Sequence, residues 1–454
     1  MRSPAIKTAA LAALALALAL PSAQSAYAQG SITFNEDDFF GSEDEFFVEV
    51  EEAPEGTVGA SLLVYDRVRV GGSVSGSATA SWTWDDPYSS FALDGFDAYS
   101  LKPSLSSTLF FDARPSEDAR FYGSMKTAWP FDEAEVFELF TDFNFDEKLF
   151  FRFGKQTVNW GVGYFFSPAN IINLQAIDPF NPGAQLEGPV SLRAHYPLPG
   201  SQHNFWAYAT FDSPDMKPED IAVAAKGEFV LGAWELGAGL WYRYDSPLRG
   251  IVTASGSLRD LTIFGEGYLA RGSDKTWVSA IAPFPSGTVS YETDDTSAFF
   301  KGSAGFLWSK SDWNLTLAGQ YLYDGEGYAD ADRLSLIDQA HAFIDPIPAG
   351  DAKDLAMNAL KVLVLGSGRH YAAFSVSKSE LYLKDLSASA FVLANLSDFS
   401  GLVRPSLSYR LFKGMSASVS ASFAFGSADS EYIVLNDGPA MSWSFGLSMG
   451  TGSF

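Results

Sequence analysis

From Ser73 onward, polar and apolar side chains alternate along the chain. Ser73 to Trp84 reads SVSGSATASWTW. Val74, Gly76, Ala78, Ala80, Trp82 and Trp84 share one parity, and Ser73, Ser75, Ser77, Thr79, Ser81 and Thr83 share the other. One face is apolar or small, and the other is wholly hydroxyl. Met415 to Phe425 repeats the arrangement, with Met415, Ala417, Val419, Ala421, Phe423 and Phe425 set against Ser416, Ser418, Ser420 and Ser422. Ile221 to Leu231 puts Ile221, Val223, Phe229 and Leu231 opposite Lys226 and Glu228. Leu236 to Tyr244 puts Leu236, Ala238, Leu240, Tyr242 and Tyr244 opposite Trp241 and Arg243. A period of two belongs to β-strands with one apolar and one polar face.

Half-solvated strands of a soluble sandwich have the same period. Three features favour a membrane barrel instead. The segments run to about ten residues, enough to cross a bilayer with tilt. Aromatic residues cluster at their ends, as with Trp82, Trp84, Tyr242 and Tyr244. There are also more such segments than one sandwich holds. Connections alternate in length. Short turns fall at Asp146-Glu147-Lys148, Gly232-Ala233, Arg259-Asp260 and Lys310-Ser311-Asp312, and longer segments at Gly161 to Leu186, Gly272 to Thr296 and Asp324 to Ala356. The pattern predicts an all-β fold: a transmembrane, antiparallel, up-and-down β-barrel of about 16–18 strands. The alternation breaks near the C-terminus, where the short Phe412-Lys413-Gly414 turn falls on the side of the long loops. Either one strand there is miscounted or Val58 to Val70 is itself a strand.

The first residues alter the picture. Arg2 and Lys7 precede an apolar run from Ala9 to Leu20, and Ala26-Tyr27-Ala28 follows. The run is too short to span a bilayer as a helix and has the form of a signal peptide over 1–28. Residues 29–57 then form an acidic tail, expected in the periplasm, with Asp37-Asp38-Phe39-Phe40 and Asp44-Glu45-Phe46-Phe47 inside it. It has the composition of a solvated tail, or of a short docking segment anchored by its Phe pairs. The barrel occupies 58–454. No later stretch is apolar for the roughly 18 residues a membrane helix needs.

Composition agrees with a barrel. The chain is 15% aromatic, has 40 Gly and only 19% charged residues, and contains no Cys. A disulfide and a lipid-modified N-terminal Cys are both excluded. The net charge of −25 excludes nucleic acid as a partner.

The most distinctive stretch is Phe151 to Tyr196. It holds Gly154-Lys155-Gln156, Asn159-Trp160-Gly161, Pro168, Asn170-Ile171-Ile172-Asn173, Asp178-Pro179 and Pro182-Gly183-Ala184. This series resembles the porin-like outer-membrane barrels, a large family of mostly uncharacterised proteins, and more distantly the alginate-export barrels. The resemblance covers about 40 residues, in the Gly-Arg/Lys-Gln, Trp-Gly and Pro-x-Asn-x-Ile-Asn signatures. It implies a closed barrel with a structured loop near the pore mouth. The strongly basic lumen of an alginate exporter has no counterpart here.

A loop of this length is functional or disordered. With Phe165, Phe166, Ile171, Ile172, Leu174 and Phe180 it is too apolar for disorder, so a constriction inside the pore or a latch on the rim is expected. Its candidate constriction residues are Phe165, Pro168, Asn170, Asn173, Asp178 and Pro179. Parity assigns Arg152, Gln156, Arg193, Lys226, Glu228, Glu235, Arg243, Glu266, Lys301, Arg404 and Arg410 to the lumen. Their mixed signs predict a polar, weakly selective pore for small solutes.

Asp324, Glu326, Asp330 and Asp332 lack EF-hand spacing, so a solvated acidic loop is expected there, with neither metal nor cofactor. Four histidines, His195, His203, His341 and His370, come with no nucleophile motif, and no enzyme is expected. Trp443, Phe445, Leu447 and Met449 give the last strand its lipid face. Phe454 ends the chain as the usual mark for the outer-membrane assembly machinery, but at the opposite parity unless Gly450 or Gly452 forms a bulge. Two further readings stand beside the channel: a transporter for hydrophobic compounds, drawn from the aromatic Trp277 to Phe284, and a structural or adhesive surface barrel.

Overall fold

The structure, a computed structural model, describes residues 63–65, 68–84, 98–116, 118–211, 213, 217–435 and 440–449. The signal peptide, the acidic tail and Phe454 lie outside the described residues. A short strand, β1 (Leu63–Tyr65), folds back on the start of β2 (Val68–Trp84). The chain then runs up and down through β3 (Ala98–Ser116), β4 (Ala119–Ala128), β5 (Ala134–Phe145) and β6 (Leu149–Lys155). It continues through β7 (Val190–Pro197), β8 (Asn204–Phe211), β9 (Ile221–Leu231), β10 (Trp234–Arg243), β11 (Arg249–Leu258) and β12 (Leu261–Arg271). A hairpin of β13 (Thr276–Ile281) and β14 (Val289–Thr293) forms its own two-stranded sheet. The barrel resumes with β15 (Ala298–Lys310) and β16 (Leu315–Asp324). Two helices follow, α1 (Asp330–Ile344) and α2 (Asp351–Val364), and then β17 (His370–Lys378), β18 (Leu386–Asn395), β19 (Ser400–Phe412) and β20 (Met415–Phe425). A short helix, α3 (Glu431–Leu435), leads into β21 (Met441–Met449), which pairs with β2 and closes an antiparallel barrel of 18 strands.

Strand register carries the sequence alternation onto the surface. Gly154, Phe153 and Arg152 pair with Ser191, Leu192 and Arg193, so Phe153 and Leu192 share one face and the two arginines the other. Phe153 is 46% exposed, and Leu101, Leu240, Val252, Leu269 and Leu447 are exposed on the same outer surface. Water would not tolerate so large an apolar surface; hydrocarbon does. Among the described residues no helix is long and apolar enough to cross a membrane, so the strands do the crossing.

The strand count resolves the broken alternation. The turn after Phe412 lies at the same end as the turns after Phe145, Leu231, Leu258 and Lys310. The long connections gather at the other end. Trp206, Trp241 and Tyr268 point into the barrel and pack beneath its inner loop.

One expectation fails. Asp324 to Ala356 is not a solvated loop but is mostly helical. Leu336, Ile337, Ala340, Phe343 and Ile344 of α1 recur at helical spacing and are buried. They pack with Ala356, Ala359, Leu360 and Val364 of α2 and with Val278 and Ile281 of β13. The Val278 N–H donates to the Tyr328 hydroxyl and the Ile281 N–H to Gln339 Oε1, both at 2.8 Å. Hairpin and helices therefore form one folded cap at the long-loop end. The four acidic residues are dispersed through it: Asp324 pairs with Lys301 at 2.7 Å, while Asp330 and Asp332 occupy the first turn of α1. Acidic residues there suit the positive end of the helix dipole.

Candidate functional site

Residues 156–189, between β6 and β7, form no strand or helix and fold into the barrel. Their root is tied down on both sides. Gln156, fully buried, donates from Nε2 to the Ser191 carbonyl at 3.2 Å, and the Thr157 hydroxyl donates to the Leu186 carbonyl at 2.6 Å. Asn173 acts as an internal brace. Its Oδ1 accepts from the Val158 N–H at 2.8 Å, and its Nδ2 donates to the Val158 carbonyl at 2.7 Å and to Asn170 Oδ1 at 2.8 Å. Asp178 accepts from the Phe180 N–H at 2.9 Å and opens a turn.

Side chains of the wall grip the loop's backbone. The Glu266 carboxylate on β12 accepts from the N–H groups of Val162, Gly163 (2.9 Å) and Ala169 (3.1 Å) and from the Ser167 hydroxyl (2.7 Å). Gln320 Oε1 on β16 accepts from Tyr164, Phe165 and Phe166 at 3.1, 2.6 and 3.1 Å. Its Nε2 donates to the Phe166 carbonyl at 2.6 Å and to the Ser303 hydroxyl at 2.9 Å. Lys226 Nζ on β9 donates to the Trp160 carbonyl at 2.9 Å. The Trp-Gly pair has a steric reason: a Cβ on Gly161 would collide with the Ser167 hydroxyl and the Glu266 carboxylate.

Apolar contacts complete the seat. Trp160 meets Tyr208 edge-on at 5.3 Å, within a buried group that includes Val158, Ala169, Ile172, Trp241 and Ile251. Phe165 and Phe180 lie 5.5 and 5.6 Å from Phe391 of β18. Pro168 and Pro179 are buried with them. The loop's partners thus sit on β5, β7 to β12, β15, β16, β18 and β19.

The remaining sector of wall is the hydroxyl face. Register aligns Ser416, Ser420 and Ser422 of β20 with Ser448, Ser444 and Ser442 of β21. It then aligns Ser77 and Ser81 of β2 with Ser448 and Ser444 on one side and with Ser104 and Ser100 of β3 on the other. Hydroxyls bond across the rows, Ser75 to Ser106 at 2.6 Å and Ser81 to Ser100 at 2.7 Å.

The other lumen-parity residues divide by height and burial. Arg152 forks onto Asp142 at 2.6 and 2.9 Å and lies 3.7 Å over the Phe140 ring. Glu228 pairs with Lys226 at 2.9 Å and accepts from Trp206 Nε1 at 2.7 Å. Arg243 lies over Trp241, and Arg404 over Phe180 at 5.2 Å. Glu235 and Arg410 are exposed near the short-turn end, opposite Ser255 and Ser416. Gln156, Lys226, Glu266 and Arg404 are buried, at 6% exposure or less. They support the loop, whereas the sequence pattern makes them lining residues. Parity gives direction, but it carries no information about what lies on top.

Sequence reading missed Gln320 and Phe391. A signal for Gln320 exists: it is the one amide in the inward row Thr316, Ala318, Gln320, Leu322, Asp324. At the long-loop end, Glu431 of α3 accepts from the Gly366 N–H (3.0 Å), the Tyr371 hydroxyl (3.0 Å) and Asn395 Nδ2 (2.7 Å). Burial pushes its carboxyl up to about 7. Arg333 of α1 forms a buried pair with Asp398 at 2.9 Å, and Asp398 also accepts from the Glu431 N–H at 2.8 Å. The histidines pair with neighbours: His195 stacks on Trp206 at 3.7 Å, His203 accepts from the Val230 N–H, His370 meets the Tyr321 hydroxyl, and His341 meets Asp429 at 2.8 Å.

A closed sheet satisfies every backbone group without water, the condition for crossing hydrocarbon. Here it carries an outward apolar face, an even strand number, short turns at one end and long loops at the other. The chain is an outer-membrane β-barrel. No family model and no curated protein sequence matches it. Solved barrels do. OccK3 (OpdO) of Pseudomonas aeruginosa matches with a TM-score of 0.47 at 8% identity, over 85% of this chain and 96% of that one. OccK11 (OpdR) of the same organism gives 0.45 at 9%, over 85% and 96%. The outer membrane channel DcaP of Acinetobacter baumannii gives 0.42 at 12%, over 87% and 100%.

Proposed function

We propose that this barrel is a porin-like channel for passive diffusion of small polar solutes, its long loops outward and its short turns toward the periplasm. The observation that carries the reading is the loop of residues 156–189. It is clamped by Glu266 and Gln320 across one part of the lumen and leaves the hydroxyl wall of β20, β21, β2 and β3 as the opposite side of a passage. Phe165, Pro168, Asn170, Asn173, Asp178 and Pro179 then belong to the constricting body. Ser and Thr hydroxyls exchange hydrogen bonds with water or a sugar without fixing a charge, the character of a weakly selective pore.

The aromatic segment Trp277 to Phe284 lends little to a transporter of hydrophobic compounds. Val278, Ile281 and Phe284 are committed to packing within the cap. Single-channel recording in planar bilayers tests the proposal. Discrete, ohmic openings and sugar-dependent swelling of protein-loaded liposomes are expected. A correctly folded barrel that carries no current would favour the structural or adhesive reading.

A further inference from the structure

The folded cap holds a cavity of about 420 Å³, within the range of roughly 300 to 1,000 Å³ that small-molecule sites occupy. Hairpin β13–β14 forms one wall with Trp277 and Glu292, and α1 forms another with Asp332, Ser335, Leu336 and Gln339. Those four recur at i, i+3, i+4 and i+7, so they share one helix face. The start of β15 and the residue before β17 contribute Phe299 and Arg369.

The aromatic part of the cavity is held in place. Trp277 stacks on Phe299 at 5.5 Å and 23°, and its indole Nε1 donates to the Glu326 carbonyl at 2.9 Å. Gln339 is committed as well: Oε1 accepts from the Ile281 N–H at 2.8 Å, and Nε2 donates to the Ser335 hydroxyl oxygen at 3.2 Å. That leaves the Ser335 O–H to donate elsewhere. Among the described residues, the carboxylates of Glu292 and Asp332 accept no hydrogen bond. Arg369 uses Nε on the Gly327 carbonyl at 2.9 Å and forms no ion pair among those residues, so its terminal Nη groups remain as donors.

A ligand must answer both kinds of group. An organic anion would meet Glu292, Asp294 and Asp332 together, and like charges at close quarters oppose binding. An organic cation would find the rings already engaged, because Lys275 Nζ lies 5.9 Å from the Trp277 centroid and 5.5 Å from that of Tyr328. The carboxylate of a zwitterion would call on the side-on fork of Arg369, whose Nε is occupied by Gly327. A sugar hydroxyl meets none of these obstacles: it donates to a carboxylate, accepts from a guanidinium and carries no charge. The C–H face of a sugar ring also suits the negative face of an aromatic ring. We infer that this cavity is a receptor for a neutral sugar, its C–H face against the Trp277–Phe299 pair and its hydroxyls shared among Glu292, Asp332, Ser335 and Arg369. Binding there does not require conduction; only the receptor's placement on the outer side of the membrane rests on the channel reading.

Saturation-transfer NMR on the purified full-length barrel tests the receptor without any measurement of current. The probes are glucose, galactose, mannose, sucrose and maltose, each offered alone. At least one should bind saturably, with saturation concentrated on the C–H protons of one ring face. Benzoate, benzylamine and phenylalanine at equal concentration should not displace it. Combined Glu292→Ala and Asp332→Ala should weaken binding roughly tenfold or more, since a hydrogen bond to a charged group carries about that much. Neither carboxylate has a hydrogen-bonded partner to abandon among the described residues, so this variant should remain heat-modifiable. Trp277→Leu should abolish the preference for one ring face. No saturable signal from any of the sugars, displacement by a charged probe, or unchanged binding in E292A/D332A would overturn the receptor. A glycan of lipopolysaccharide presents the same chemistry as a free sugar. Lipopolysaccharide that displaces the bound sugar makes that glycan the occupant, and binding undisturbed by it makes the occupant a free solute. Recording the same preparation in bilayers separates receptor from channel. A conducting barrel that binds no sugar loses the receptor and keeps the channel, whereas one that binds sugar without conducting loses the channel alone.

Discussion

Side-chain direction on strands was open to reading from the sequence, and its energetic consequence is testable at neighbouring positions. Phe153 faces outward and Arg152 inward, forked onto Asp142. Replacing Phe153 with Arg puts a charge into hydrocarbon and should cost about 2 to 4 kcal/mol near the midplane, falling toward the interfaces. Reversible urea unfolding in lipid vesicles measures that cost. Arg152→Ala should cost less and alter ion preference instead, and equal losses from the two substitutions would show that the facing is wrong. Glu266 is a different case. Parity identified it as inward, but the four donors that surround it come from residues about a hundred positions earlier, and no local pattern encodes that. Hydrogen bonds to a charged group are worth about 1.5 to 3 kcal/mol each. Glu266→Ala should therefore free the loop from β12 and raise single-channel conductance with noisier openings. Unchanged conductance in a folded E266A barrel would show that this clamp does not control the passage.

Among elements, strands were more legible than helices. Period-two segments such as Met415 to Phe425 announce themselves, because every residue takes part in the alternation. Helix α1 was hidden by the acids before it and in its first turn: Asp324, Glu326, Asp330 and Asp332 make the segment look like a solvated loop, although Leu336, Ile337, Ala340, Phe343 and Ile344 already had helical spacing. The inner loop was legible as folded, through its prolines and apolar residues, but its direction depends on Gln320 and Phe391 in distant strands. Removing Ser167 to Pro182 should raise conductance while the barrel stays heat-modifiable; a folded deletion with the parent's conductance would make the loop a latch.

The cap should respond to pH. A carboxyl whose folded value is raised, here Glu431 from 4.5 to about 7, binds its proton more tightly in the folded state. Its contribution is full below the ordinary value and is lost as pH rises to about 7. Burial opposes the charged form of His341, but Asp429 and Asp345 outweigh it and hold the histidine above its ordinary 6.5, which acts in the same direction. Docking of the 426–435 segment and the cap helices should thus loosen as the medium passes from mildly acidic to mildly alkaline. Hydrogen exchange around Gly366 to Tyr371, corrected for intrinsic rates, reports this. Glu431→Gln should reduce the dependence and leave the smaller part that His341 carries.

For the molecule as a whole, the 18 closed strands predict a spectrum dominated by β-structure and resistance to SDS that is lost on heating, read as a shift in gel mobility between unheated and boiled samples. A helix-dominated spectrum would contradict the fold. Closure itself could be anticipated from the number and length of the strands, whereas the helical cap, built from sequence-distant pieces, could not. The clamped loop also has a mechanical consequence. A thin-walled tube under lateral bilayer pressure fails first by flattening into an ellipse. The loop is rooted at β6–β7, tied to Glu266 and Gln320, and wedged against Phe391, so it joins three separate arcs of the wall like the spokes of a wheel. Cutting it should let the cross-section breathe, and a loop-deleted barrel should show broader conductance levels and a stronger dependence on bilayer thickness than the intact one.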